Sequence, residues 1–294
     1  LGITYLVERD VRWLEHGEHL CLNFTADEER EEVLSRFISD GLRRNERVFY
    51  FAHRESVQNV FTALDGRGVA ATSHSRDGQL TISTANESYL ATGMFDPEAC
   101  MRQWIETVDE ALDNGFSGVR VGADMSWALD AIAGSDRLLE YERNLSGMVV
   151  ADRPLIGLCE FDARLFSAAS LSELVEAHKD GIVLAPAVLE SMELRVIKSY
   201  SPPGLRVHGI LTEHSRADFE AALRHVMHTT SGNVHVDLSA VTEIDKAGLQ
   251  SIVSAARELY TGRRLVVIYV AGLKGINPAQ ITKSPAIQLR ESAA

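Results

Sequence analysis

The chain has 294 residues, 45% apolar and 24% charged, enough for one large or two ordinary globular domains. Its formal net charge of −13 is uneven, because residues 1–189 hold 17 Lys/Arg against 32 Asp/Glu while residues 190–294 hold 12 against 10. An acidic first part without clustered cations argues against a nucleic-acid partner. No apolar run approaches the ~20 residues that span a bilayer, so no membrane association is expected. Three widely spaced cysteines, Cys21, Cys100 and Cys159, make neither a disulfide framework nor a CxxC pair, and a cytoplasmic setting is the expectation.

From residue 14 to residue 180, β-rich runs alternate with helical patterns, as in a parallel sheet covered by helices. His19 to Phe24 reads as the first strand. Thr25-Ala26-Asp27-Glu28 matches a capping box, and Val33, Leu34, Phe37, Ile38, Gly41 and Leu42 keep helical spacing after it. Strands are expected at Val48 to Ala52, Leu80 to Thr84, Val119 to Ala123 and Leu155 to Glu160. Helices are expected from Val57, from Asp96-Pro97 as cap and first-turn proline, from about Asp136 and from about Ser170. The stretch Asp180 to Glu190, with Gly181 and Pro186, reads as a linker, dividing the chain into domains at 1–185 and 190–294.

Beyond it come strands at Glu193 to Ile197, Leu205 to Leu211, Asn233 to Asp237 and Leu265 to Tyr269, with helices at Ser215 to His228 and Ala247 to Tyr260. Val236-Asp237-Leu238-Ser239 ends a β-branched run in an aspartate. A short loop is expected to carry Asp245, and Lys246-Ala247-Gly248-Leu249 opens a helix with Leu249, Ile252, Val253, Ala256 and Leu259 on one face.

Several side chains are candidates for a site. His19 and Cys21 lie two apart and so point to one face of a strand, and Cys159 would face the same cavity if its strand is a neighbour. Such a cluster could ligate a metal or haem, line a ligand pocket or hold a redox-sensitive thiol. Against this, cysteines commonly pack as small hydrophobes, so no metal is the expectation. Arg120, Asp124 and Trp127 are placed at a strand's C-terminal end, the edge where open parallel sheets bind ligands. The plainer reading is an ion pair of Arg120 with Asp124 or Glu142 and a tryptophan covering the core. No catalytic elbow, zinc-protease helix or calcium loop is present in the sequence, and no enzyme is expected.

Two resemblances add to this. The Asp237 to Leu249 segment resembles the signature of STAS domains, the anti-anti-sigma-factor family, where a loop hydroxyl is phosphorylated; here Lys246 and Ala247 follow Asp245 instead. The resemblance implies a partner-binding surface around Asp237, Ser239, Asp245, Lys246, Ala247 and Gly248, with an anti-sigma factor or serine-kinase-like protein as partner. Residues 14 to 180 resemble a MEDS sensory domain through Gly17-Glu18-His19-Leu20-Cys21, Phe37-Ile38-Ser39-Asp40-Gly41-Leu42, Val119 to Trp127, Tyr141-Glu142 and Cys159-Glu160-Phe161-Asp162. That family is similar in layout to RecA-like ATPases. Residues 23–31, where such enzymes cradle phosphate, contain no glycine or lysine and four carboxylates, so ATP binding is not expected and no cofactor is required.

The combined expectation is an α/β protein: an N-terminal degenerate RecA-like parallel sheet followed by a smaller STAS domain. It implies a bacterial signalling protein sensing a small molecule or redox cue and acting by protein–protein contact, with homo-oligomerisation open. The alternatives are a residual nucleotide-binding or hydrolysing protein using Asp124, or a structural assembly subunit.

Overall fold

The computed structural model describes residues 7–259, 262–270, 273–274 and 284–292. They divide into two compact units, Leu1–Leu184 and Ala185–Ala294.

In the first unit seven strands form one sheet: β1 (Glu8–Asp10), β2 (His19–Phe24), β3 (Arg47–Ala52), β4 (Leu80–Thr84), β5 (Val119–Asp124), β6 (Leu155–Asp162) and β7 (Ile182–Leu184). Their order is β1-β7-β2-β6-β5-β3-β4, and every pair is parallel. The late strands β6 and β7 flank the early strand β2. Among the described residues six α-helices connect the strands: α1 (Asp27–Arg43), α2 (Val57–Gly66), α3 (Ala71–Arg76), α4 (Pro97–Asp113), α5 (Leu138–Leu145) and α6 (Ala168–Ala177). All eight residues of β6 are buried, as a central parallel strand covered on both faces requires.

Alternation along the strands assigns the two faces. Cys21, Val121, Ala123 and Cys159 face a core shared with Trp104 of α4 and Tyr141 of α5. Arg120 and Gly122 face the other way, against Phe37 of α1. At the start of α4, Asp96 accepts the Ala99 amide at 2.9 Å with Pro97 in the first helical position. The capping box expected at Thr25 does not form. Ala26 holds the cap position without a side-chain bond, and the Thr25 amide instead donates to Glu29 at 3.3 Å.

Residues 182–184, expected within a linker, are a strand inserted between β1 and β2, so the sheet continues to Leu184. The run is too short for periodicity to reveal.

The second unit is a six-stranded sheet: β8 (Leu189–Glu190), β9 (Leu194–Tyr200), β10 (Pro203–Leu211), β11 (Val234–Ile244), β12 (Leu265–Val270) and β13 (Ile287–Ser292), in the order β13-β12-β11-β10-β9-β8. The β8–β9 and β9–β10 pairs are antiparallel and the rest parallel. Phe219 and Leu223 of α7 (Arg216–Thr229) and Leu249 and Ile252 of α8 (Lys246–Glu258) share one core with Leu205, Val207, Val236 and Leu238. The end of α8 expected at Tyr260 lies outside the described residues. The loop expected after Ser239 is strand: register shifts beside Gly209 let β11 run on against β10 to Ile244, so Ser239 and Thr242 both belong to β11.

Candidate functional site

Four buried side chains from four parts of the first unit meet on the α4–α5 side of the sheet. They are His19 of β2, Glu142 of α5, Cys159 of β6 and His178 just after α6. One donor atom from each lies within 4.8 Å of all the others. In the β2–β6 register Cys21 stands opposite Cys159 and His19 opposite Gly157. That glycine makes room for the imidazole, because a Cβ on Gly157 would lie 2.9 Å from His19 Cδ2.

Glu142 Oε2 is the hub. It lies 3.2 Å from His19 Nε2, 3.4 Å from His178 Nε2 and 3.5 Å from Cys159 Sγ. His19 Nε2 lies 3.3 Å from the same sulfur. The outer ring nitrogens are fixed as well: His19 Nδ1 is 2.8 Å from Ser146 Oγ, in a π-helical turn at Ser146–Val150, and His178 Nδ1 is 2.7 Å from the Leu174 carbonyl. Burial and the neighbouring His178 push the His19 pKa down, which favours the neutral imidazole. Burial opposes ionisation of Glu142, but its contacts with His178 and His19 outweigh that and leave its pKa at about 2. Burial, reinforced by the Glu142 charge, raises the Cys159 thiol well above its ordinary value.

His19 and Cys159 also line a cavity of about 40 Å³, room for about three water-sized groups. The remaining wall is apolar and aromatic, including Tyr89, Phe95, Trp104, Val121, Met125, Trp127 and Tyr141. Two lining residues carry buried polar atoms without a hydrogen-bond partner, Tyr89 Oη and Trp127 Nε1. Trp104 Nε1, by contrast, donates to Tyr141 Oη at 3.0 Å.

The structure therefore gathers His19, Glu142, Cys159 and Trp127 around one region and sets the other candidates apart. Cys21 shares the face, but its sulfur lies against the Gly181 carbonyl at 3.8 Å and its pKa is pushed up to about 12, chiefly by burial. Arg120 is near the N-terminal end of β5, not its C-terminal end, and on the opposite face. It pairs with Glu46 at 2.6 Å rather than with Asp124 or Glu142 and donates to the Phe37 carbonyl at 2.9 Å. Asp124 closes β5, where the amides of Ser126 (2.9 Å) and Arg54 (3.2 Å) occupy its two oxygens. His178 was not a sequence candidate. It stands alone in its local sequence and reaches the cluster only because the chain after α6 returns beside β2 as β7.

At the C-terminal edge of the sheet an open groove of about 640 Å³ is lined by Asp27, Arg30, Glu31, Arg54, Glu55, Asp124, Asp162 and Arg164. Its arginines are engaged: Arg164 with Asp162 and Asp27 at 2.7 and 2.6 Å, Arg30 with Glu55, Arg54 with Asp130. ATP and GTP with Mg²⁺ are accordingly expected to bind at best weakly by isothermal titration, and a micromolar dissociation constant would overturn this expectation.

In the second unit Asp245 caps α8. Its carboxylate accepts the amides of Gly248 at 2.8 Å and Glu213 at 3.0 Å, and such backbone bonds hold its pKa below the ordinary value against the opposing effect of burial. A Cβ on Gly248 would meet the Leu211 carbonyl at 2.5 Å, so the helix start packs directly on β10. Lys246 is exposed, Ala247 half-buried, and the Asp237 carboxylate accepts the Ser239 amide at 2.9 Å. Ser251 is fully buried and donates to the Gly248 carbonyl.

The chain thus combines a parallel-sheet unit holding an internal polar cluster with a mixed-sheet unit whose helix α8 is capped by Asp245. The chain belongs to the MEDS family: the model described as "MEthanogen/methylotroph, DcmR Sensory domain" matches residues 18–179, and one described as "Mlab, STAS domain" matches residues 194–274. It is 24% identical over 169 residues to the transcriptional repressor DcmR of Methylorubrum extorquens, a match covering 57% of this chain and 60% of the repressor's own length. Among solved structures it is similar to a KaiC-like protein of Pyrococcus horikoshii (15% identity, 62% of this chain and 78% of that one, TM-score 0.42). The flagellar accessory protein FlaH of Methanocaldococcus jannaschii is comparable (13% identity, 67% and 86%, TM-score 0.42). Among the described residues no helix is long and apolar enough to cross a membrane.

Proposed function

We propose that this protein senses a small neutral molecule in the cavity of its MEDS unit and passes the signal on by protein–protein contact through its STAS unit. The observation that carries the reading is the cavity: apolar and aromatic, with the unpartnered Tyr89 hydroxyl and Trp127 indole N–H on lining residues. Its size suits a molecule of a few heavy atoms with one or two hydrogen-bond acceptors. A redox cue is less well served, since all three thiols of this core, Cys21, Cys100 and Cys159, are buried with raised pKa values, the reverse of a reactive thiolate. The similarity to a transcriptional repressor supports a role in regulating transcription. Native mass spectrometry of the full chain purified from its own host tests the sensor reading. A co-purifying small molecule is expected. Its absence, together with no change in tryptophan fluorescence across a panel of small alcohols, aldehydes and halogenated alkanes, would sink it.

The output surface is proposed to lie at the start of α8, with an anti-sigma factor or serine-kinase-like protein as partner. Lys246 and Ala247 offer no hydroxyl there, and Ser251 is buried. Incubation with ATP and a serine kinase is expected to leave residues 245–251 unmodified by tandem mass spectrometry. Lys246→Glu adds a negative charge beside Asp245 and is expected to weaken a partner complex at this surface about tenfold or more in a pull-down titration. An unaffected complex would place the contact on another face.

A further inference from the structure

We propose that His19, Glu142, Cys159 and His178 form a binding site for one divalent transition-metal ion of the zinc class, set in the wall of the cavity. The inference stands on the cluster itself and does not depend on the sensor reading.

The geometry is the first argument. Zinc bonds of about 2.0–2.1 Å to nitrogen and oxygen and about 2.3 Å to sulfur place tetrahedral ligand atoms roughly 3.3–3.6 Å apart. Four of the six edges here are 3.2 Å (His19–Glu142), 3.4 Å (His178–Glu142), 3.5 Å (Cys159–Glu142) and 3.3 Å (His19–Cys159). All six lie within 4.8 Å.

Hydrogen bonding gives a second argument. The Leu174 carbonyl can only accept, so His178 Nδ1 carries a proton and Nε2 is the ring nitrogen turned towards the cluster. That nitrogen lies 3.4 Å from Glu142 Oε2, a spacing at which both atoms can ligate one ion. Hydrogen bonds alone leave His178 Nε2 and Glu142 Oε1 without a partner although both residues are fully buried. A cation among the four atoms satisfies the first and accounts for the cost of burying the second. Ser146 and the Leu174 carbonyl then act as the outer partners that orient ligating imidazoles.

The donor set selects the ion. Two imidazoles, a carboxylate and a thiolate suit zinc and its first-row neighbours, whereas magnesium and calcium take oxygen ligands. On binding, the Cys159 S–H proton leaves to solvent and an S–metal bond forms. The two positive charges are then matched by one carboxylate and one thiolate, giving a neutral buried site.

The test is a titration of the chelator-treated, tag-free full chain with Co²⁺ as the spectroscopic probe, followed by competition with Zn²⁺. The expected result is saturation at one equivalent, with thiolate-to-cobalt charge-transfer absorption in the near ultraviolet and visible bands of tetrahedral intensity, all lost on adding Zn²⁺. Cys159→Ser is expected to abolish the charge-transfer band, and His178→Gln to weaken Co²⁺ binding at least about tenfold. Cys21→Ser should keep the band, since its sulfur lies outside the four. Folding of each variant is checked by circular dichroism, and the wild-type titration decides the matter even if the variants fail to fold. Folded wild-type protein that takes up no equivalent of Co²⁺, or a charge-transfer band that survives in Cys159→Ser, would overturn the proposal.

Discussion

Glu46→Ala is expected to destabilise the first unit by about 3–5 kcal/mol in urea unfolding, the cost of leaving one partner of a buried ion pair behind. Glu46 and Arg120 are both fully buried. Arg120 donates to the carboxylate through Nε at 2.6 Å and through a terminal nitrogen at 3.5 Å. Without Glu46 the guanidinium keeps only the Phe37 carbonyl and the face of the Phe37 ring. The double variant Glu46→Leu/Arg120→Met should recover most of the loss, because two apolar side chains of similar bulk carry no desolvation cost. The pair also sets a pH dependence. Burial alone would raise the Glu46 pKa, but the bonds from His16 and Arg120 more than offset it and leave it lowered. A folded pKa below the unfolded value of about 4.3 means the stabilisation is complete above that pH. It is lost as pH falls from there through the folded pKa. Glu46→Gln should be less stable than wild type at neutral pH, with a gap that closes on acidification. A constant gap would sink this account.

The second large effect concerns Trp127, which is fully buried and packs on Phe95 (ring centroids 4.7 Å apart) and Tyr89 (5.8 Å). Trp127→Ala removes an indole from a wall that already borders a cavity and is expected to cost about 3–5 kcal/mol. Trp127→Phe separates packing from hydrogen bonding. It keeps most of the ring contact and deletes an N–H that has no protein partner, so its stability cost should be far smaller than that of alanine. If the cavity's occupant accepts a hydrogen bond from that indole, Trp127→Phe loses the occupant while remaining folded. Wild-type occupancy in Trp127→Phe would show that the indole serves the fold alone.

Much of the architecture was legible in the sequence. The strands from His19 to Phe24 and from Leu80 to Thr84 fall where the β-rich runs place them, and the helix opened by Asp96-Pro97 begins at its proline. These segments are long or carry local punctuation. Strands β7 and β8, of three and two residues, have neither and exist only through their neighbours. The Thr25 motif failed because Glu29, not the motif's Glu28, bonds the Thr25 amide and Ala26 takes the cap position of α1. In the cluster, the same-face spacing of His19 and Cys21 was readable, and the register across β2 and β6 set Cys159 beside them. His178 was not, because its partner atoms belong to residues up to 159 positions earlier and no short-range pattern records that return. Arg120 was misplaced for a related reason. Composition marks a β-run, but only the extent and alternation of the strand decide which end and face a residue takes.

The position of β2 has a consequence for the order in which the chain assembles. This strand is made well before its partners: the His19 amide donates to Asp180 and the Cys21 amide to the Gly181 carbonyl, 161 and 160 residues later. Its other edge is closed by β6, also late in the unit. A nascent chain therefore carries β2 with unpaired edges until nearly the whole unit has been made, the arrangement of high contact order that folds slowly and exposes strand edges meanwhile. A fragment ending shortly before His178 would lack the fourth cluster residue and the strand that seals β2. Its expected behaviour is self-association through that open edge.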